Sequence, residues 1–195
     1  MTPKHDFAEL IGSRICHDLI SPIGAIGNGV ELMQMELPGA GPEMALISES
    51  VANANARIRF FRVAFGAASE EQRIGRGEVT SILADLMRGV RLSVDWQGPV
   101  DMARAEVKIV FLLIQCLETA MPYGGRITVA QGTEWTVTGQ APRFRDIAQF
   151  WSILSGAGGD VAPAQVQFAL APAEAARLGR AITLSQAPDA ITLSF

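Results

Sequence analysis

The stretch Cys16-His17-Asp18-Leu19-Ile20-Ser21-Pro22 sets an imidazole beside a carboxylate, five residues ahead of a proline, within a helical pattern. An imidazole with an unperturbed pKa of about 6.5 is substantially neutral near physiological pH and offers a nucleophilic nitrogen. A hydrogen bond to one ring nitrogen leaves the other free to attack an electrophile such as an acyl phosphate. Proline inside a helix costs about 3 kcal/mol and leaves the carbonyl four residues back, that of Asp18, without its usual partner. A purely structural helix gains nothing from that arrangement. The chemistry these residues support is transient phosphorylation of His17. Asp18, about 100° away around the helix, has three open roles: holding the ring, accepting its proton, or serving as a structural or solvated carboxylate.

The elements that carry His17 follow from the apolar periodicity. One seam runs Leu19, Ile23, Ile26, Val30, Met33, Leu37, and a second runs Met44, Ile47, Val51, Ala54, Ile58, Phe61, Phe65. Steps of three and four residues predict two helices joined at Pro38-Gly39-Ala40-Gly41-Pro42 and packed as an antiparallel hairpin. Asp6 and Glu9 stand in capping-box spacing at the first start, and Pro42 follows Gly41 at the second. With His17 as zero, the first seam falls at roughly 160° to 240° on the helical wheel, so His17 is expected to face away from the hairpin core. Its surface neighbours are Ser13, Arg14, Ser21, Gly24 and Asn28, small or polar residues that admit a close partner. Gly24, Gly27 and Gly29 each cost about 1 kcal/mol against alanine in a helix, and access or packing accounts for them. Folding about Ala40 brings Arg59 and Arg62 near the height of His17, where they either meet an acidic partner or stand solvated. Two helices bury little apolar area, so dimerisation into a four-helix bundle is the expected completion, against the alternative of packing on the C-terminal part.

Gly75 and Gly77 among charged residues mark a break over 69–78, which predicts domains at 1–70 and 76–195. Beyond it the pattern alternates. Helices are expected over 80–88, 103–120, 145–154 and 163–178, with strands over 90–96, 126–130 and 135–138 and a final hairpin of 181–185 with 190–195. Helices mixed with antiparallel strands make an α+β sandwich.

Composition narrows the functional classes. The chain has 195 residues, 49% of them hydrophobic, and a net charge of −4 with 16 Lys and Arg. No basic field exists for nucleic acid. The longest apolar run, Ile109 to Ile114, is far short of the ~20 residues of a membrane span, and no signal-peptide pattern opens the chain. A cytoplasmic protein is expected. Cys16 and Cys116 lack metal-ligand spacing and read as small buried hydrophobes. His5 precedes the helix start and reads as exposed. Trp96, Trp135 and Trp151 read as core or sheet packing.

Four segments in order, SRICHDLISPIGAI from Ser13, FRVAFGAAS from Phe61, VDWQ from Val94 and AMPYGG from Ala120, resemble the ChpT-type histidine phosphotransferases of bacterial phosphorelays. The resemblance implies a homodimer whose hairpins form a four-helix bundle like the dimerisation and phosphotransfer domain of sensor kinases. It implies a C-terminal domain like a degenerate kinase ATP-binding domain. It places the phosphoacceptor at His17, with Asp18 as the adjacent acid and Pro22 at the matching proline. Implied partners are the receiver domain of a hybrid histidine kinase as donor and CtrA-like response regulators as acceptors. Mg²⁺ would arrive with the receiver domain, and no cofactor is expected on this chain.

A kinase would need an asparagine-bearing helix and glycine-rich phosphate loops. Gln115 and Thr119 stand where those asparagines would align, and Gly156-Ala157-Gly158-Gly159-Asp160 lacks the D-x-G-x-G order. A dimeric binding module that sequesters receiver domains without chemistry is the rival reading, and an ATP-dependent kinase is the third.

Overall fold

Pro42 opens the second long helix at its first position, directly after Gly41, where a missing N–H costs nothing. The structure, a computed structural model, describes residues 7–36, 41–69 and 71–195, without the side chains of 7–11, 13 and 36. His5, Asp6 and most of the 38–42 connector lie outside the described residues. The chain divides into two units: the residues up to Ala67 together with Ser81–Leu86, and Ala68–Thr80 together with Met87–Phe195.

The first unit is built on α1 (Phe7–Glu36), which runs unbroken through Pro22, and α2 (Pro42–Ala64). A Cβ on Gly12 would lie 3.0 Å from the Phe65 carbonyl oxygen, and one on Gly27 would lie 3.3 Å from Val51 Cγ1. The two contacts run in opposite senses, so the helices are antiparallel, and His17 stands level with Phe60 and Phe61. Gly12, Cys16, Gly27 and Val30 form the line of α1 that meets α2, with Cys16 and Val30 buried. The expected seam therefore needs correction. Leu19, Ile26 and Met33 remain 44%, 50% and 48% exposed. Close approach of two backbones selects small residues for the contact line, so the large side chains form a separate stripe beside it. On α2, Ala56, Ile58, Phe60, Val63 and Ala64 are buried, whereas Leu46 and Ile47 are exposed. Phe61 packs at 6.2 Å on Phe60 and 5.5 Å on Phe65, ring centre to ring centre.

In the second unit, β1 (Arg73–Gly75) pairs antiparallel with β3 (Asp101–Ala103). β1 falls inside the expected break and β3 between the strand expected over 90–96 and the start of the helix expected over 103–120, because three residues are too few to show a period. The helix α3 (Arg76–Leu86) starts four residues before its expected start, with Glu78 in its first turn.

A five-stranded sheet follows in the order β2-β4-β5-β7-β6, formed by β2 (Leu92–Gln97), β4 (Gly125–Gln131), β5 (Trp135–Gln140), β6 (Thr183–Gln186) and β7 (Ala190–Ser194). The sheet is mixed, since β2 and β4 are parallel with Val94 opposite Ile127, and the other pairs are antiparallel. That pairing follows from α4 (Arg104–Ala120), which lies between the two strands in sequence and provides the crossover a parallel pair requires. Val107 and Ile109 to Ile114 are all buried, as befits a helix apolar on most of its circumference. Gly139 of β5 lets Leu117 and Met121 approach the sheet; a Cβ there would lie 2.7 Å from the Met121 sulfur.

The helix α5 is shorter than expected, Ala148–Ser152, and continues as a wide turn over Ile153–Ala157 in which Gly156 takes φ 89°. After a 3₁₀ turn at Pro163–Gln165 comes α6 (Val166–Arg177). Lys108 Nζ donates to Glu174 Oε1 at 3.0 Å, joining α4 to α6 out of solvent. All three tryptophans are buried, as core packing requires. Among the described residues no helix is long and apolar enough to cross a membrane.

Candidate phosphotransfer site

Burial of Cys16 against α2 fixes the rotation of α1, and one residue later the helix delivers His17 to solvent with 86% of its side chain exposed. At 100° per residue the α2-facing line sits at roughly 250° from His17, and the exposed stripe of Ile15, Leu19, Ile26 and Met33 at roughly 180°. His17 is thus opposite the stripe of large apolar residues and only about 110° from the α2 contact. This refines the expectation that it faces squarely away from the hairpin core.

His17 Nδ1 lies 3.1 Å from Asp18 Oδ1. Arg14 Nε donates to the other carboxylate oxygen, Oδ2, at 2.6 Å. The Arg14 hydrogen bond, with that of His17, holds the Asp18 carboxyl below the usual carboxylate range. An ionised carboxylate has no proton to give, so the bond requires Nδ1–H as donor. The neutral ring then carries its lone pair on Nε2, the nitrogen left without a bond to Asp18.

The surroundings are small, as expected. A Cβ on Gly24 or Gly29 would meet nothing within 4 Å, while Gly27 belongs to the helix contact. Ser21 and Asn28 are exposed, and the side chain of Ser13 lies outside the described residues. Arg14, expected to face a partner, is engaged by Asp18. Arg59 is not a free cation either: its Nη1 donates to Asp85 Oδ2 at 2.7 Å and its Nη2 to Ser81 Oγ at 3.2 Å. An aspartate brought by α3 accounts for this, and the hairpin geometry alone gives no sign of it. Arg62 is exposed and lies near enough to Cys16 to oppose the rise that burial imposes on that thiol.

Among the described residues no cluster of three or more His, Cys, Asp or Glu is placed to hold a metal ion. In the second unit, Thr119 Oγ1 donates to the Gln115 carbonyl at 2.9 Å and accepts from Gln167 Nε2 of α6 at 3.2 Å. Gln167 of α6 therefore engages Thr119 on α4. The run from Gly156 to Asp160 is exposed.

A feature missed from the sequence is a groove of about 420 Å³ between the segment after β5 and the β6–β7 turn, lined by Arg143, Phe144, Arg145, Trp151 and Pro188 among others. Arg143 and Arg145 are exposed on irregular backbone, where the sequence predicts a helix from 145 onward, with Arg145 N–H bonded to the Ala120 carbonyl. The alternation Arg-Phe-Arg after a strand was the available signal.

Residues 76–190 match the family described as the histidine phosphotransferase C-terminal domain. Protein phosphotransferase ChpT of Brucella abortus (strain 2308) is 36% identical over 160 residues, covering 78% of this chain and 76% of that protein. A solved structure of a bacterial phosphotransferase superposes with a TM-score of 0.72 at 32% identity, over 100% of this chain and 97% of that one. With an exposed histidine bonded to the carboxylate beside it, and with these similarities along its length, the chain belongs to the ChpT-type histidine phosphotransferases, the phosphotransfer enzymes of bacterial phosphorelays.

Proposed function

We propose that His17 is the phosphoacceptor, taking a phosphoryl group from the aspartyl phosphate of one receiver domain and passing it to the aspartate of another. The observation that carries this reading is the open Nε2 of an exposed imidazole whose Nδ1 is bonded to Asp18 at 3.1 Å. In-line placement and charge stabilisation do most of the work in phosphoryl transfer. The receiver supplies Mg²⁺ with its own acidic residues, and this chain supplies the nucleophile and a flat approach across Ser21, Gly24 and Asn28. The donor in this reading is the receiver domain of a hybrid histidine kinase, the acceptors are CtrA-like response regulators, and the relay operates in the cytoplasm.

Dimerisation covers the stripe of Leu19, Ile26 and Met33 with its counterpart on a second copy. These residues and the exposed Leu46 and Ile47 of α2 form apolar surface of the kind that marks an interface. Arg62, exposed on α2, is the arginine we expect to meet acidic groups on the partner. Arg143 and Arg145, with no ion-pair partner among the described residues, offer a further cationic surface.

The test is transfer from a phosphorylated receiver to the wild-type protein and to His17→Ala. Phosphate that is acid-labile and base-stable, lost in His17→Ala and kept in His5→Ala, supports the reading. Stable receiver complexes without any label would favour a sequestering module. A flat calorimetric titration with Mg-ATP is expected, and binding accompanied by autophosphorylation would favour a kinase.

A further inference from the structure

The three side chains Arg14, Asp18 and His17 form a chain of contacts on one face of α1, spaced so that both Asp18 and His17 are surface neighbours of Arg14. The arginine uses its Nε on Oδ2 at 2.6 Å, and the carboxylate is left with Oδ1 toward Nδ1 at 3.1 Å. An exposed aspartate alone would rotate among solvated rotamers. A guanidinium on one oxygen removes that freedom and fixes the direction of the other.

We propose that Arg14 is a positioning residue for the transfer: by holding Oδ2 of Asp18 it turns Oδ1 onto Nδ1 of His17, so that Nδ1 keeps its proton while Nε2 takes and returns the phosphoryl group. This rests on the reading of His17 as phosphoacceptor. In the first step the Nε2 lone pair bonds to phosphorus, and the bond from phosphorus to the donor aspartate breaks with its electrons leaving on that carboxylate. The ring becomes a phosphoimidazolium whose positive charge lies against Asp18. In the second step a carboxylate oxygen of the acceptor attacks phosphorus, and the N–P electrons return to Nε2. The ring is again neutral with Nδ1–H in place.

The proton stays on Nδ1 throughout. That matters because a phosphoimidazolium releases a neutral imidazole, whereas a ring stripped of the Nδ1 proton would have to leave as an anion. Arg14 makes Asp18 a poorer base, consistent with the direction in which its carboxyl is shifted. Asp18 then serves as an orienter and counter-charge, and proton abstraction by it is disfavoured.

The experiment is nitrogen NMR of the ¹⁵N-labelled imidazoles in the full chain above the ring's titration, with His5→Ala used for assignment, combined with rapid-quench transfer kinetics. Wild type should show His17 chiefly as the Nδ1–H tautomer, opposite to the preference of free histidine. Arg14→Ala should move it toward Nε2–H and slow both steps roughly fivefold, the scale of one exposed ion pair. Arg14→Lys, which keeps a cation near the carboxylate, should recover part of both effects. A tautomer and rates blind to Arg14→Ala, in a protein still labelled on His17, would overturn the positioning role alone. Absence of label on wild-type His17 would overturn the phosphoacceptor reading whatever the tautomer.

Discussion

Arg59 of α2 and Asp85 of α3 are joined at 2.7 Å, with Ser81 accepting a second bond from the same guanidinium. About a third of each side chain in the pair is exposed, so the interaction is partly screened and should contribute no more than about 1 kcal/mol. Urea unfolding of Arg59→Ala, Asp85→Ala and the double variant should give a positive coupling energy. Zero coupling, or a change in the salt dependence of receiver association on Arg59→Ala as large as that on Arg62→Ala, would contradict the assignment of Arg59 to structure.

Lys108 and Glu174 carry more weight, because both are buried. Glu174→Leu removes the carboxylate that accepts from buried Lys108 at 3.0 Å and from Arg177 at 3.4 Å, and should cost about 3–5 kcal/mol. Lys108→Met combined with Glu174→Leu should recover most of that loss, since two apolar groups of similar volume replace two desolvated charges. Denaturant unfolding of the three variants checks this, and a double variant no better than Glu174→Leu alone would refute it.

Gly24 separates stability from docking. Since its Cβ position is open, Gly24→Ala should stabilise the helix by about 1 kcal/mol. Gly24→Gln should block transfer to and from receivers while leaving dimer mass unchanged. Gly27→Ala, whose methyl would press on Val51 at 3.3 Å, should lack the gain seen at Gly24. Normal transfer by Gly24→Gln would mean that the docking face lies elsewhere on α1.

Ile26 tests the dimer. It stands in the exposed stripe on the side of α1 opposite His17, so Ile26→Asp should yield monomers in light scattering with the helical circular dichroism intact. A charge in a covered apolar interface is costly. A wild-type monomer at micromolar concentration would remove the bundle from the account.

The two long helices were legible because their apolar seams run through six and seven positions, over 19–37 and 44–65, and Pro42 after Gly41 marks a start without needing tertiary context. Which face of α1 meets α2 was not. Apolar periodicity weights large side chains, whereas the contact is made at Gly12, Cys16, Gly27 and Val30, and three-residue strands such as β1 and β3 leave no period to find. His17 and Asp18 were legible as a pair from adjacency alone. That Arg14 closes the pair on one side, and that Arg59 is taken up by Asp85, depends on rotamers and on an element 26 residues further along the chain.

The most direct measurement is mass spectrometry, under base-stable conditions, of peptides from the protein after brief exposure to a phosphorylated receiver domain, followed by a chase with a second receiver. Phosphate on the peptide containing His17, absent from His17→Ala and discharged by the chase, is the predicted result. Phosphate on another residue, or a His17 peptide that stays unmodified while the second receiver becomes phosphorylated, would contradict the account.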